Sequence, residues 1–301
     1  MQLNGDSTGR HIRLGGVLLL CLLTLKYTFA DAATGLTLAV HPYLSSSEIE
    51  QRFTPLARQL AKALGLPVTV RVSTNYDAHI QVVGQGMADL AYVGPAELLI
   101  AETRYGHQIL LGQAVFDNHK GLTGHLVVRQ SGAAPQSGRA LLRSLRHQRA
   151  AFVDRKSSMG YLVPMAILEK AGVRESDFQT MRFVGSHENV ALGVLAGEFD
   201  VGAVNDETFE KYRPRGLHSL YSLPAVPEHV FVVSPRVPAE WQSLIRTSLL
   251  QMAENEAGHQ ALRAIRPDFS KIAPVNEKEF ASLRALLGMS GNATKTTDRR
   301  K

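Results

Sequence analysis

The chain has 301 residues, 45% hydrophobic and 20% charged, the make-up of an ordinary globular protein with length for one large domain or two lobes. Its formal charge of +6 sits at the ends: residues 1–30 carry +2 and residues 289–301 carry +3, leaving +1 for 31–288 and no electrostatic case for nucleic acid. The single cysteine, Cys21, lies in an N-terminal apolar run, so the rest of the chain excludes thiol catalysis and cysteine-ligated metal.

In chain order, Arg10 and Arg13 precede the apolar run LGGVLLLCLLTL (14–25), and Lys26 ends it ahead of Ala30, Ala32 and Ala33. A basic region, a short apolar core and an Ala-x-Ala-like exit read as a secretory signal peptide over 1–30, too short for a membrane span. An uncleaved anchor is the alternative. The mature protein is expected to be periplasmic and soluble.

From residue 35 strand-like and helix-like segments alternate. LTLAVHPY (36–43) reads as a strand, and 45–65 as a helix opened by serines and closed by Gly65, with Ile49, Phe53, Leu56, Leu60 and Leu64 at helical spacing. Strand 67–73, helix 76–86, strand 88–94 and helix 95–105 follow. The pattern then restarts: strand 125–129, a Gly/Ser/Pro-rich loop 131–139, helix 140–148, strand 149–154, helix 161–171, strand 181–186, helix 187–199 and strand 200–206. Segment 228–235 reads as a strand returning to the first lobe, 239–255 and 277–288 as closing helices, and 289–301 as a disordered polar tail. This order predicts α/β architecture: lobe 1 from 35–127 plus 231–288, lobe 2 from 128–230, and hinges near 127–130 and 230–234. Loops at the strand carboxyl ends would line the cleft, among them those carrying Tyr43, Tyr76 and Gly94.

The stretch DRKSSMGYLVP (154–164) poses the functional question. Pro164 is tolerated mainly in a first helical turn, so a helix is expected near Gly160–Tyr161, leaving Ser157, Ser158, Met159 and Gly160 as its entry loop. Either Ser158 simply caps the helix, or two hydroxyls and the free N–H groups cradle an anion. His187 stands at a second strand-to-helix junction, where it is either a solvated first-turn histidine or an oxyanion donor whose charge responds to pH near neutrality. Asn205, Asp206 and Glu207 follow the next strand, as an acidic first turn or as carboxylates facing a ligand.

Three segments together, YDAHIQVVGQGMADLAYVGP, KSSMGYLVP and GSHENVALGVLAGEFDVGAVNDE, resemble the phosphate/phosphite/phosphonate periplasmic substrate-binding proteins of ABC transporters over most of 36–255. The resemblance implies a type II periplasmic-binding fold, two α/β lobes joined by two crossover strands around a ligand cleft. It implies Ser157, Ser158 and His187 as ligands of the oxyanion, Tyr76 as a further contact, and Glu207 as the carboxylate that meets an aminoalkyl group. Tyr161 is expected to help shape the ligand. Two departures stand out: His229 in VPEH falls where the family has a second acid, and Leu122 falls where it has a tyrosine. Losing the acid favours a smaller or more acidic oxyanion than an aminoalkylphosphonate. The partners implied are a small oxyanion and a permease–ATPase complex, with the binding protein itself a monomer.

No G-x-S-x-G elbow surrounds either serine and no H-E-x-x-H pattern occurs, so hydrolysis and metal catalysis are disfavoured, and neither cofactor nor metal is expected. Two other outputs share such a fold: a sensor that reports oxyanion occupancy to a histidine kinase, and a pyrimidine-precursor synthase.

Overall fold

The computed structural model describes residues 35–117, 121–129 and 138–289; the expected signal peptide over 1–30, most of the expected loop at 131–139 and all but the first residue of the expected 289–301 tail lie outside them. The chain begins with β1 (Leu36–Val40), α1 (Ser46–Leu64), β2 (Val68–Val72), α2 (Tyr76–Gly84), β3 (Leu90–Val93), α3 (Pro95–Tyr105) and β4 (Ile109–Phe116). In α1 the Ser45 side chain accepts from the Glu48 N–H and Gly65 closes the helix at φ +67°, which a side chain would resist. Its buried stripe is the expected Ile49, Phe53, Leu56, Leu60 and Leu64.

The middle of the chain forms β5 (Gly124–Arg129), α4 (Gly138–Arg143), β6 (Arg149–Phe152), a π turn (Ser158–Leu162) running into α5 (Val163–Lys170), β7 (Thr180–Phe183), α6 (His187–Ala196), β8 (Val201–Asn205), α7 (Asp206–Tyr212) and β9 (Leu217–Ser222). The return adds β10 (Val230–Val233), α8 (Ala239–Leu250), α9 (Glu256–Ile265), β11 (Phe269–Ala273) and α10 (Glu279–Leu286).

Two sheets result. The first runs β11-β4-β10-β3-β1-β2, with β1 parallel to β2 and β3 and β10 antiparallel to β3 and β4. The second runs β7-β6-β8-β5-β9, with β6 parallel to β7 and β8 and β5 antiparallel to β8 and β9. The strands β4, β9 and β11 and the helices α7 and α9 have no counterpart in the sequence reading. β4 is an instance of why: Gly112 and Gln113 interrupt its apolar run, yet a Cβ at 112 would lie 2.4 Å from Ile272, so the glycine is what lets β11's side chain pack over this strand.

The chain passes between the sheets between β4 and β5 and again through 223–229, a few residues upstream of the expected hinges, and all of β5 belongs to the second sheet. The two passages pair with each other: the Leu122 N–H donates to the Val226 carbonyl at 2.8 Å and the Val226 N–H returns a bond at 3.0 Å. Gly121 makes this possible, since its φ is +91° and a Cβ there would lie 2.3 Å from the Val226 carbonyl oxygen. Gly121→Ala is therefore expected to cost about 1–3 kcal/mol of unfolding free energy. Urea denaturation checks this, and an unchanged midpoint would contradict the packing.

Candidate functional site

The residues that follow the carboxyl ends of β1, β3, β6 and β8 line one small cavity of about 40 Å³ between the two sheets. His41 and Tyr43 come from the loop after β1, and Tyr76 from the start of α2. Gly94 and Glu97 come from the start of α3, Ser157, Ser158 and Met159 from the π turn, and His187 from the start of α6. Asn205 and Glu207 flank the start of α7, and His229 precedes β10. Helix starts present N–H groups and the positive end of the macrodipole, so their convergence makes the cavity a place for negative charge.

The π turn is built differently from the expected loop. Helical winding begins at Ser158 rather than at Gly160–Tyr161, with Ser157 as the cap whose Oγ accepts from the Gly160 N–H at 3.1 Å. Pro164 has no N–H to offer the Gly160 carbonyl four residues back, and that oxygen accepts instead from Val153 at 3.1 Å. The bond ties the turn to the end of β6, and a Cβ at Gly160 would lie 2.4 Å from Val153. Proline thus sets the turn's anchorage, not its starting point. Ser158 Oγ accepts from the Ala96 N–H at 3.1 Å, a link from the second lobe to the first. Both serine oxygens are occupied as acceptors, which leaves their own hydrogens to donate.

His187 is 4% exposed, and its Nδ1 accepts from the Asn205 N–H at 3.0 Å. That bond fixes the neutral ring with its hydrogen on Nε2. Burial pushes its pKa down to about 3. The ring is a constant N–H donor, and the expected charge response near neutral pH is corrected.

Tyr161 does not reach the cavity. Its ring packs edge-on against Phe152 and Phe183, and its hydroxyl bonds Glu175 and, at 3.1 Å, Arg155. Gly160 likewise lines nothing and serves the close approach to Val153. Asp206 pairs with His125 at 3.0 Å instead of facing the cavity. The other expected residues, Tyr43, Tyr76, Gly94, Ser157, Ser158, Met159, His187, Glu207 and His229, are brought together.

Glu207 is tied to Arg52 of α1 at 2.6 Å, and the same guanidinium holds Glu48 at 2.7 Å and the Ile265 carbonyl at 2.9 Å. This ion pair joins the lobes at one side of the cleft, and Lys156 with Asp77 joins them elsewhere. His229 stacks on Tyr92 at 5.0 Å, and its Nδ1–H donates to the buried Glu228 at 2.8 Å. Burial alone would raise Glu228, but the His229 hydrogen bond and charge, with Arg266, hold it below the usual carboxylate range.

The sequence reading passed over His41, Tyr92, Glu97 and Arg266. Arg266 lies over the Phe116 ring at 3.3 Å and is paired to Asp268 at 2.6 Å. Glu97 sits three residues after Gly94, where an acid reads as a plain helix-start residue, and its Oε2 does accept from the Gly94 N–H at 3.2 Å. What spacing cannot show is its burial, at 1% exposure.

Residues 38–280 match the family model for the ABC transporter, phosphonate, periplasmic substrate-binding protein. The phosphate-import protein PhnD of Mycolicibacterium smegmatis is 23% identical over 278 residues, 85% of this chain and 86% of that protein. The probable ABC transporter phosphite binding protein PhnD1 of Prochlorococcus marinus is 26% identical over 202 residues, 63% of this chain and 65% of its own length. The structure of Prochlorococcus marinus PhnD1 in complex with methylphosphonate superposes with a TM-score of 0.75 at 21% identity, covering 83% of this chain and 96% of that one. The fold is thus the type II periplasmic solute-binding fold.

The titrations carry a checkable sign. His187 at about 3 and His79 at about 4 lie below the free value of 6.5, so their neutral rings add stability above pH 6.5 that is lost as pH falls toward those values. The urea midpoint is expected to fall between pH 6.5 and about 4, and to fall less in His187→Gln, which keeps an acceptor and a donor without the titration. Equal acid sensitivity in the two proteins would contradict the assignment.

Proposed function

The chain belongs to the periplasmic substrate-binding proteins of ABC-type phosphonate transporters, and on that premise we propose that it captures a small phosphate-class oxyanion without an amine tail and delivers it to a membrane permease. The family consists of binding proteins rather than enzymes. The observation that carries the reading is the convergence of neutral donors, the His187 Nε2–H and the Ser157 and Ser158 hydroxyls, on one cavity among several helix starts. Neutral N–H and O–H groups bind oxyanions by charge-assisted hydrogen bonds and keep doing so across the physiological pH range.

Glu207 speaks against an aminoalkyl group. A free carboxylate at the cavity wall would welcome an ammonium, but Arg52 already supplies that cation from within the protein. His229 is backed by Glu228 and presents a ring, not an acid, on the opposite wall. Both features support a compact ligand such as phosphate, phosphite or a short phosphonate, which also suits the small cavity. Export by the N-terminal segment, a periplasmic location and a monomeric state complete the proposal. No helix among the described residues is long and apolar enough to cross a membrane.

Thermal-shift screening followed by calorimetry tests the reading. Phosphate, phosphite or methylphosphonate is expected to raise the melting temperature, and the absence of any shift would refute it. His187→Ala is expected to weaken the bound oxyanion at least about tenfold, the loss of one charge-assisted hydrogen bond. Arg52→Ala is expected to improve 2-aminoethylphosphonate relative to methylphosphonate by about tenfold, because it frees Glu207; an unchanged ratio would sink the exclusion argument.

A further inference from the structure

Two buried polar side chains among the residues lining the cavity are not explained by the donor set above. Glu97, 1% exposed, keeps Oε2 on the Gly94 N–H at 3.2 Å, and its Oε1, buried at the cavity lining, has no hydrogen-bond partner among the described residues. The His41 ring, 4% exposed, lies with Nδ1 3.1 Å from Glu97 Oε2, outside hydrogen-bonding alignment, and neither of its nitrogens has a hydrogen-bond partner either. An ionised carboxylate facing a fully deprotonated oxyanion repels it in a site where little water screens the charges. One hydrogen between the two oxygens turns that repulsion into a strong hydrogen bond.

We infer that Glu97, backed by His41, makes the site selective for an oxyanion that brings its own hydroxyl hydrogen, so that hydrogen phosphate is preferred over phosphite, phosphonate and sulfate as the pH rises. The inference rests on the oxyanion reading above and sharpens it to one chemical feature of the ligand. Hydrogen phosphate keeps an acidic hydrogen far into the alkaline range. Methylphosphonate and phosphite lose theirs near neutrality, and sulfate has none. For those three, Glu97 must supply the missing hydrogen, so their binding takes up a proton whenever Glu97 is ionised.

The surroundings place that titration near neutral pH. Burial pushes Glu97 up to about 7, against the pull of His229 and of the Gly94 N–H. The other groups facing it are His41 from the loop after β1, Tyr76 and His79 from α2, His229 from ahead of β10, and Asp154 after β6. His41 and His79 are held neutral by burial, and Tyr76 is held protonated by burial and by the Glu97 charge.

Calorimetry on the full chain from about pH 7 to 9 tests the inference, with inorganic phosphate, methylphosphonate and sulfate as probes. The phosphate dissociation constant is expected to change less than about threefold, while methylphosphonate and sulfate weaken by about tenfold per pH unit. In buffers of different ionisation heat, methylphosphonate binding at pH 8 is expected to take up about one proton and phosphate binding none. Glu97→Gln, checked for folding by its melting curve, is expected to remove the slope and bring the three ligands together. Parallel pH dependence of all three in the wild-type chain, or a slope that survives in Glu97→Gln, overturns the inference while leaving the oxyanion reading intact. If none of the probes binds at any pH, both fall together. The wild-type measurements decide the matter even where the variant does not fold.

Discussion

Every helix begins with N–H groups that have no carbonyl of their own to meet, and this protein gathers several such beginnings around one small cavity. The parallel pairs β1–β3 and β6–β8 force that gathering, because each strand ends in the cleft and hands its chain to a helix that starts there. Side chains satisfy part of the demand: Asn75, Ser157, Ser186 and Asn205 each accept from the helix they precede. The field of the helix ends remains, and it is the field that an anion answers. The donors, the buried Glu97 and His41 and the rim ion pairs are all arranged within it.

The contacts that span the cleft differ greatly in kind. The Ser158–Ala96 bond is buried, so removing its partner would leave an unsatisfied polar atom at a cost of about 1–3 kcal/mol. The Arg52–Glu207 pair is roughly a quarter exposed on each side, and pairs in that setting contribute about 1 kcal/mol or less. Its contribution to holding the lobes together is therefore small, and its effect on Glu207 is to place a cation beside that carboxylate. The Leu122–Val226 pairing ties the two passages between the lobes to each other.

Much of the first lobe is legible without coordinates because its signals are local. Gly65 and the Ile49-to-Leu64 stripe define α1, and the run 95–105 coincides with α3. The strands that escape such reading, β4, β9 and β11, lack clean alternation, and their pairing is set by partners far along the chain. The site divides in the same way. Ser157, Ser158 and His187 sit at strand-to-helix junctions that a reader can find, whereas Tyr161 has the same neighbours in sequence and turns into the core against Phe152.

By itself the sequence determined the alternation of strands and helices, the family likeness of its three motifs and the junctions where an anion could be met. These depend on periodicity, capping and turn chemistry, which act over a few residues. The tertiary structure alone decided which face of each junction looks into the cleft. It locked His187 neutral through the Asn205 N–H, bound Glu207 to an arginine 155 positions away, and buried Glu97 with one oxygen capping a helix and the other without a hydrogen-bond partner among the described residues. The reason is physical: burial, the approach of distant charges and the loss of water belong to the packed arrangement of the whole chain, and no local pattern contains them.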